Sequence, residues 1–266
     1  MITIYTGQSR KIIRLIIPAL LLFLAGACKK TDTDYGQPAV VQFYNALNDN
    51  VNLLVSLSDK PLVFYRTALK VTNKEFTIPN NVITLSQASQ TVNLFAEPDT
   101  LAHDRPIISA ALNVKAASTY SLFLYGTKAT PAYELNEDHF PAVDIRGDSV
   151  TFIRFANFSE GQTISVNLKG EAPGSFIASL PFRSFSAFTK LPADRSVSEY
   201  EFEVRDEAGV VIIATYKTPN LNSGNNSSSS LLNPWIYKPN TLVLTGIPGG
   251  TGTNAQTIKL MSHRGQ

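Results

Sequence analysis

The chain carries two copies of one short-period pattern, and that repeat restricts the fold more than any other feature. Val41-Gln42-Phe43-Tyr44-Asn45 aligns with Ile153-Arg154-Phe155-Ala156-Asn157. With one gap allowed, Leu53-Leu54-Val55-Ser56-Leu57 aligns with Ile164-Ser165-Val166-Asn167-Leu168. Downstream, Phe76-Thr77-Ile78-Pro79 corresponds to Phe188-Thr189-Lys190-Leu191-Pro192, and Leu122-Phe123-Leu124-Tyr125-Gly126 to Leu242-Val243-Leu244-Thr245-Gly246. Within each copy the apolar residues recur in short two-fold runs rich in Val, Ile, Phe, Tyr and Thr, broken by Pro, Gly, Asn and Asp. Such runs are strands. In the first copy they are Val40 to Asn45, Val51 to Leu57, Leu62 to Ala68, Val82 to Leu85, Thr91 to Ala96, Ile107 to Val114 and Tyr120 to Gly126. No amphipathic helix of ten residues or more is found.

A copy of about 100 residues with roughly seven strands fits a two-sheet sandwich whose inner faces supply one core. The predicted fold class is therefore all-β, with two tandem Ig-like antiparallel β-sandwiches. Paired cysteines around a buried Trp are absent, so this expectation rests on strand count, spacing and size. A single large barrel is the competing architecture, and the repeat argues against it. The expected boundaries are residues 39–133 for the first sandwich, 134–148 for a charged linker holding Pro141, and 149–266 for the second.

The amino terminus supplies an address. Arg10, Lys11 and Arg14 precede an uncharged run from Leu15 to Leu24, followed by Ala25-Gly26-Ala27-Cys28, which is the layout of a cleaved secretory signal. The run is about half the ~20 residues that a membrane-crossing helix needs. The segment ending at Cys28 resembles the lipobox of bacterial lipoproteins. The resemblance implies a signal peptide at residues 1–27, cleavage before Cys28 and acylation of its thiol. Several acyl chains on one residue hold a protein stably to a membrane. Lys29 stands where inner-membrane retention signals often carry Asp, which by the same resemblance favours the outer membrane. Residues 28–38 would form a lipidated tether, at most ~35 Å long when extended, with the first sandwich near the lipid and the second farther out.

Residues 1–27 hold three of the 23 basic residues and no acidic one, so the remainder carries 20 basic against 21 acidic side chains. Nothing in it forms the Lys/Arg stripe that a row of phosphates requires, and nucleic-acid binding is not expected. Cys28 is the single cysteine, so no intramolecular disulfide is available and stability must come from burial.

The opening Val41-x-Phe43-x-Asn45-Ala46, with a polar turn and Leu53-x-Val55 after it, resembles a family of secreted bacterial domains of unknown function. Its members begin Val-Arg-Phe-Val-Asn-Ala-x-Pro. Leu191-Pro192-Ala193 and Ala117-Ser118-Thr119-Tyr120-Ser121 occupy the places of two later family motifs. The proline-containing first turn is replaced by Leu47-Asn48-Asp49 and Phe158-Ser159-Glu160. The resemblance implies Ig-like sandwiches on an anchored lipoprotein and brings no catalytic residues.

Motifs for chemistry are sparse. His103, His139 and His263 have no metal-ligand spacing, and no metalloprotease, serine-hydrolase or phosphate-loop signature occurs, so neither a metal nor a cofactor is called for. The densest polar cluster, Glu97-Pro98-Asp99 with His103-Asp104-Arg105, reads as a solvated loop. A hydrolase using Glu97, Asp99 or Asp104 is the enzymatic alternative. Arg146-Gly147-Asp148-Ser149 contains a tripeptide that integrins bind, and its plainer reading is a turn before the second copy. Trp235 and Tyr237, flanked by Pro234 and Pro239, would share a strand face. They read either as a core cap or as a platform for a sugar ring, beside a flexible Ser/Asn-rich loop at 222–230. The leading expectation is a non-enzymatic outer-membrane lipoprotein acting as a binding or structural module at the envelope. The alternative is a glycan-binding accessory of a polysaccharide-uptake system. Partners are the membrane through the lipid, and glycan or envelope proteins.

Overall fold

The structure, a computed structural model, describes residues 36–57, 68–97, 105–147, 149–194, 196–221 and 235–263. Residues Gln37–Gln266 form one compact unit. The first copy contributes β1 (Ala39–Asn45), β2 (Asn52–Ser56), β3 (Leu69–Val71), β4 (Val82–Leu85), β5 (Ser89–Glu97), β6 (Ile108–Asn113), β7 (Thr119–Gly126) and β8 (Pro131–Asp138). The second contributes β9 (Val150–Ser159), β10 (Ile164–Leu168), β11 (Ile177–Leu180), β12 (Ser184–Phe185), β13 (Thr189–Pro192), β14 (Glu201–Asp206), β15 (Ile212–Lys217), β16 (Pro239–Gly246) and β17 (Thr257–Ser262).

The topology is the same twice. Sheet β4-β1-β7-β8 faces β3-β2-β5-β6 in the first copy, and β12-β9-β16-β17, with β13 also on β9, faces β11-β10-β14-β15 in the second. Two all-β sandwiches are therefore present. Each holds its own core, with Val41, Phe43, Leu53, Val55, Leu94 and Leu122 in the first and Ile153, Phe155, Ile164, Val166, Val204 and Leu242 in the second. These residues alternate along their strands, as a pleated sheet with one face on a core requires.

The outward faces of two of these sheets are apolar as well. Tyr44, Ala46, Phe123 and Tyr125 of the first copy and Ala156, Phe158, Val243 and Met261 of the second form a third buried cluster. Phe123 stacks on Phe158 with ring centroids 4.5 Å apart. All ten residues of β9 and all eight of β16 are buried, because each strand has a core on one face and the neighbouring sandwich on the other. The contacts descend in the same sense along both copies, from Asp138 against Arg154, through Phe123 against Phe158, to Asn48 against Glu160. The sandwiches therefore lie side by side with their first strands running the same way, not one beyond the other as expected for beads on a tether.

Three further expectations change. Glu134 to Asp138 belongs to an edge strand and not to a linker; Tyr133 and Leu135 pack on the first core, and Glu134 between them takes the opposite face of the strand. Pro131 sits at its first position, where a missing N–H is tolerated. The sheets are not purely antiparallel either, since β1 pairs with β7, and β9 with β16, in parallel. Finally, register places Ile83 where Thr189 lies, through their partners Val41 and Ile153. The counterpart of 189–192 is thus β4 and its flank, not 76–79. The candidate strand at 62–67 lies outside the described residues.

The blocks that repeat do so for a local reason. Asn45 donates to the carbonyls of Val51 and Val71 and accepts the Leu47 N–H. Asn157 donates to those of Gln162 and Leu180 and accepts the Ser159 N–H. Each Asn ties the end of the first strand to the opposite sheet at two places, the approach to β2 or β10 and the neighbouring strand β3 or β11. Gly126 and Gly246 close the equivalent hairpins at φ +87° and +107°, where a Cβ would strike the carbonyls of Thr130 and Ala255. We expect Asn157→Ala to leave buried carbonyls and an N–H unpaired and to cost about 3 kcal/mol. Chemical denaturation reads this directly, and a loss below ~0.5 kcal/mol would remove the clamp from the account.

Candidate functional site

The largest concentration of buried polar groups lies between the sandwiches. β1, β7, β9 and β16 present Gln42, Ser121, Arg154 and Thr241 on their outward faces, above the apolar cluster. Asp138 ends the hairpin partner β8, and His263 directly follows the hairpin partner β17. The Arg154 guanidinium donates to Asp138 at 2.5 Å, and their side chains are 5% and 0% exposed. Ser121 and Asn136 also donate to Asp138, at 2.6 and 2.8 Å. The guanidinium lies 4.6 Å from the Phe188 ring centroid and 5.4 Å from that of Phe185, which supports its charge through the ring faces.

Proton positions follow from the amide oxygen that Gln42 turns to His263 Nδ1, since that atom can only accept. Arg154 Nε donates to Thr241 Oγ1 at 2.8 Å, which leaves the hydroxyl's own proton free for His263 Nε2 at 2.6 Å. His263 then carries its proton on Nδ1 and gives it to Gln42 Oε1 at 3.1 Å. The imidazole is neutral. Burial, with the Arg154 charge second, holds its pKa well below the usual 6.5. Burial also pushes the Arg154 pKa down, and Asp138 opposes the shift. One anion, one cation and one neutral ring thus close a network with every charge matched.

The expected site residues fall elsewhere. Trp235 is buried in the second core with 0% exposure, its Nε1 donating to the Pro219 carbonyl and its ring edge-on to Tyr216. Tyr237 is half-buried at φ +59°, and its hydroxyl donates to Gly147 O. The two share no strand face, and Trp235 lies within the second core with no ring face open to a sugar. Glu97 is bound by Lys70 and Asn52. The Lys70 hydrogen bond chiefly lowers its pKa, which keeps it ionised and ill suited as a general acid. Asp99, His103 and Asp104 lie outside the described residues, as do Cys28 and the 222–230 loop. Arg146 and Gly147 form an exposed turn closed by Asp144, as their reading as a turn requires, and Asp148 is not described.

Sequence reasoning missed Gln42, Asp138, Arg154, Thr241 and His263. The available signal was the x position of the repeated Val-x-Phe-x-Asn block. Its following outward residues, Tyr44, Ala156 and Phe158, are apolar, which marks a strand buried on both faces. Two open clefts adjoin the upper end of the unit. One of about 470 Å³ is lined by Thr119, Glu137, His139, Phe140 and Pro239. Another of about 580 Å³ is lined by Asn113, Lys115, Tyr120 and Glu137. The Lys115–Glu137 ion pair stands where they meet. Among the described residues no group of three or more His, Cys, Asp or Glu is placed to hold a metal.

No family model matches the chain, and no curated protein matches it. Among solved structures, a candidate adhesin from Bacteroides ovatus aligns over 81% of this chain and 90% of its own, with 13% identity and a TM-score of 0.22. The fimbrial anchor protein of Porphyromonas gingivalis aligns over 86% and 98%, with 11% identity and a TM-score of 0.24. Likeness at this level is too slight to carry a function across.

Because His263 is neutral when folded and titrates near 6.5 when unfolded, acid favours the unfolded chain. Stability is expected to be full above pH 6.5 and to fall by up to ~1.4 kcal/mol per pH unit below it, down to the folded pKa. His263→Gln should flatten that slope between pH 6.5 and 5; an unchanged slope would reject the assignment. Arg154→Gln strands the buried Asp138 and should cost ~3–5 kcal/mol, whereas Asp138→Asn/Arg154→Gln should recover about half of that or more. Urea denaturation of these two variants, of Asp138→Asn and of the unaltered protein measures the coupling, and additive losses would contradict it.

Proposed function

We propose that the protein is a non-enzymatic lipoprotein, acylated at Cys28 and anchored to the outer membrane, whose two sandwiches act as one rigid binding or structural module at the cell envelope. The observation that carries this reading is the shared interface. The buried ionisable groups Asp138, Arg154 and His263 are held by one another, and they fasten the sandwiches together. A site for acid–base chemistry needs such groups free to exchange protons with a substrate.

The chain joins the unit at Gln37, whose carbonyl accepts the Ala117 N–H beside the starts of β1 and β7. The parallel setting of the copies brings the starts of β9 and β16 to the same end. A tether at 28–38 would therefore hold both sandwiches from one end and leave the turns at Asn48-Asp49, Thr127–Thr130 and 247–256 at the other. Those turns, together with the exposed Val210 and Val211 between β14 and β15, are the surfaces available to an envelope partner.

Cell fractionation tests the anchor. The unaltered protein is expected in the outer-membrane fraction with metabolically incorporated palmitate, and Cys28→Ser is expected to lose the label and leave that fraction. Retention of Cys28→Ser in the membrane would overturn the lipoprotein reading. Protease added to intact and to lysed cells then distinguishes a surface module from a periplasmic one.

A further inference from the structure

The contacts between the sandwiches come in pairs. Register makes the equivalences explicit: Phe43 pairs with Leu122 as Phe155 pairs with Leu242, and Ser121 lies opposite Asn136 as Thr241 lies opposite Met261. Two residues farther on, Asp138 and His263 hold the same place, bonded to the equivalent hydroxyls of Ser121 and Thr241, each at 2.6 Å. Gln42 and Arg154 are equivalents in the first aligned block. Arg154 of the second copy therefore reaches Asp138 of the first as Gln42 of the first reaches His263 of the second.

Other contacts obey the same relation. Lys74 and Arg183, at φ +55° and +62°, each donate a backbone N–H at 2.7 Å to the clamping residue, Asn45 or Asn157. Both side chains then cross to the other copy, Lys74 to the Thr253 carbonyl and Arg183 to the Tyr125 hydroxyl. Phe76 and Phe185, two residues beyond them, both pack on the shared apolar cluster. Asn48 and Glu160 are equivalents 112 residues apart, and they bond to each other at 2.9 Å, as residues beside a two-fold axis do. This is the geometry of an isologous dimer, in which a residue meets its own counterpart and every other contact occurs twice.

We infer that the interface is an internal quasi-two-fold dimer in which Gln42, Asp138, Arg154 and His263, with Asn48 and Glu160, make each sandwich select the other and reject a second copy of itself. Pairing the first sandwich with its like sets Gln42 against Asp138 on both sides of the axis, burying two carboxylates with no cation. Pairing the second with its like sets Arg154 against a neutral His263 twice, burying two guanidinium groups with no anion, and brings Glu160 against Glu160. Burying an unpaired charge is far costlier than burying a matched pair, so both like pairings are penalised while the mixed one has its charges matched.

The experiment begins with the full chain bearing a protease site inserted in the exposed turn at 144–147 and cleaved after folding. Nicked protein grown with and without heavy isotope is mixed, unfolded together in denaturant and returned to buffer. Native mass spectrometry then reads which halves pair. The expected result is label-scrambled mixed pairs only, with like pairs below about a tenth of the total. Like pairs at a statistical share, halves that remain single, or failure of the halves to re-form mixed pairs would overturn the inference. In the second arm, Gln42→Arg with His263→Asp gives both halves a complete ion pair across the axis. Like pairs are expected to rise at least about tenfold over the unaltered protein, and an unchanged distribution would assign the selectivity to other residues. Because the first arm alters no buried residue, it stands whether or not the second variant folds.

Discussion

A guanidinium and a carboxylate buried between two sheets stabilise a structure only if their remaining hydrogen-bonding positions are filled, because desolvation otherwise exceeds their attraction. Arg154 and Asp138 meet that condition through Thr241, Ser121, Asn136 and two phenylalanine rings. The rest of the architecture follows from it. The pair fixes the depth and register at which one sandwich lies on the other, and the apolar cluster below it can then close without a slip. An apolar face alone would hold the sandwiches together at several registers, since dispersion and burial carry no direction.

The same interface explains why this all-β chain has strands that are apolar on both faces. β1, β7, β9 and β16 are central strands of their own sheets and also the contact surface between copies. Edge strands include β8, where Glu137 pairs with Lys115, and β15, where Lys217 pairs with Glu201 on β14. Charge on exposed edges discourages further strand pairing. The molecule thereby concentrates its selectivity at one internal face.

The two copies share their backbone requirements while their contact residues differ. Asn45 and Asn157, and Gly126 and Gly246, remain identical because each position has one solution: an amide that bridges two sheets, and a residue without Cβ beside a carbonyl. Gln42 and Arg154, Asp138 and His263, and Asn48 and Glu160 differ because their role is to match the other copy and not to build their own. Identity marks the fold of a copy here, and difference marks its partner.

The sequence by itself determined most strands of the described first copy, the repeat of its opening block and the division into two cores, because alternation, turn residues and the Val-x-Phe-x-Asn block act over a few residues. It misplaced the edge strand β8, whose charged outward residues look like a linker until Tyr133 and Leu135 are seen on the core. It could not show that Trp235 faces a core, since the two faces of a short aromatic segment are equivalent until the opposing sheet is in place. Nor could it bring Gln42 to His263, which are separated by 221 residues. Only the tertiary structure decided that the outward faces of the two copies meet, because that contact depends on two surfaces assembled from four strands, each complete only after its own sandwich has folded.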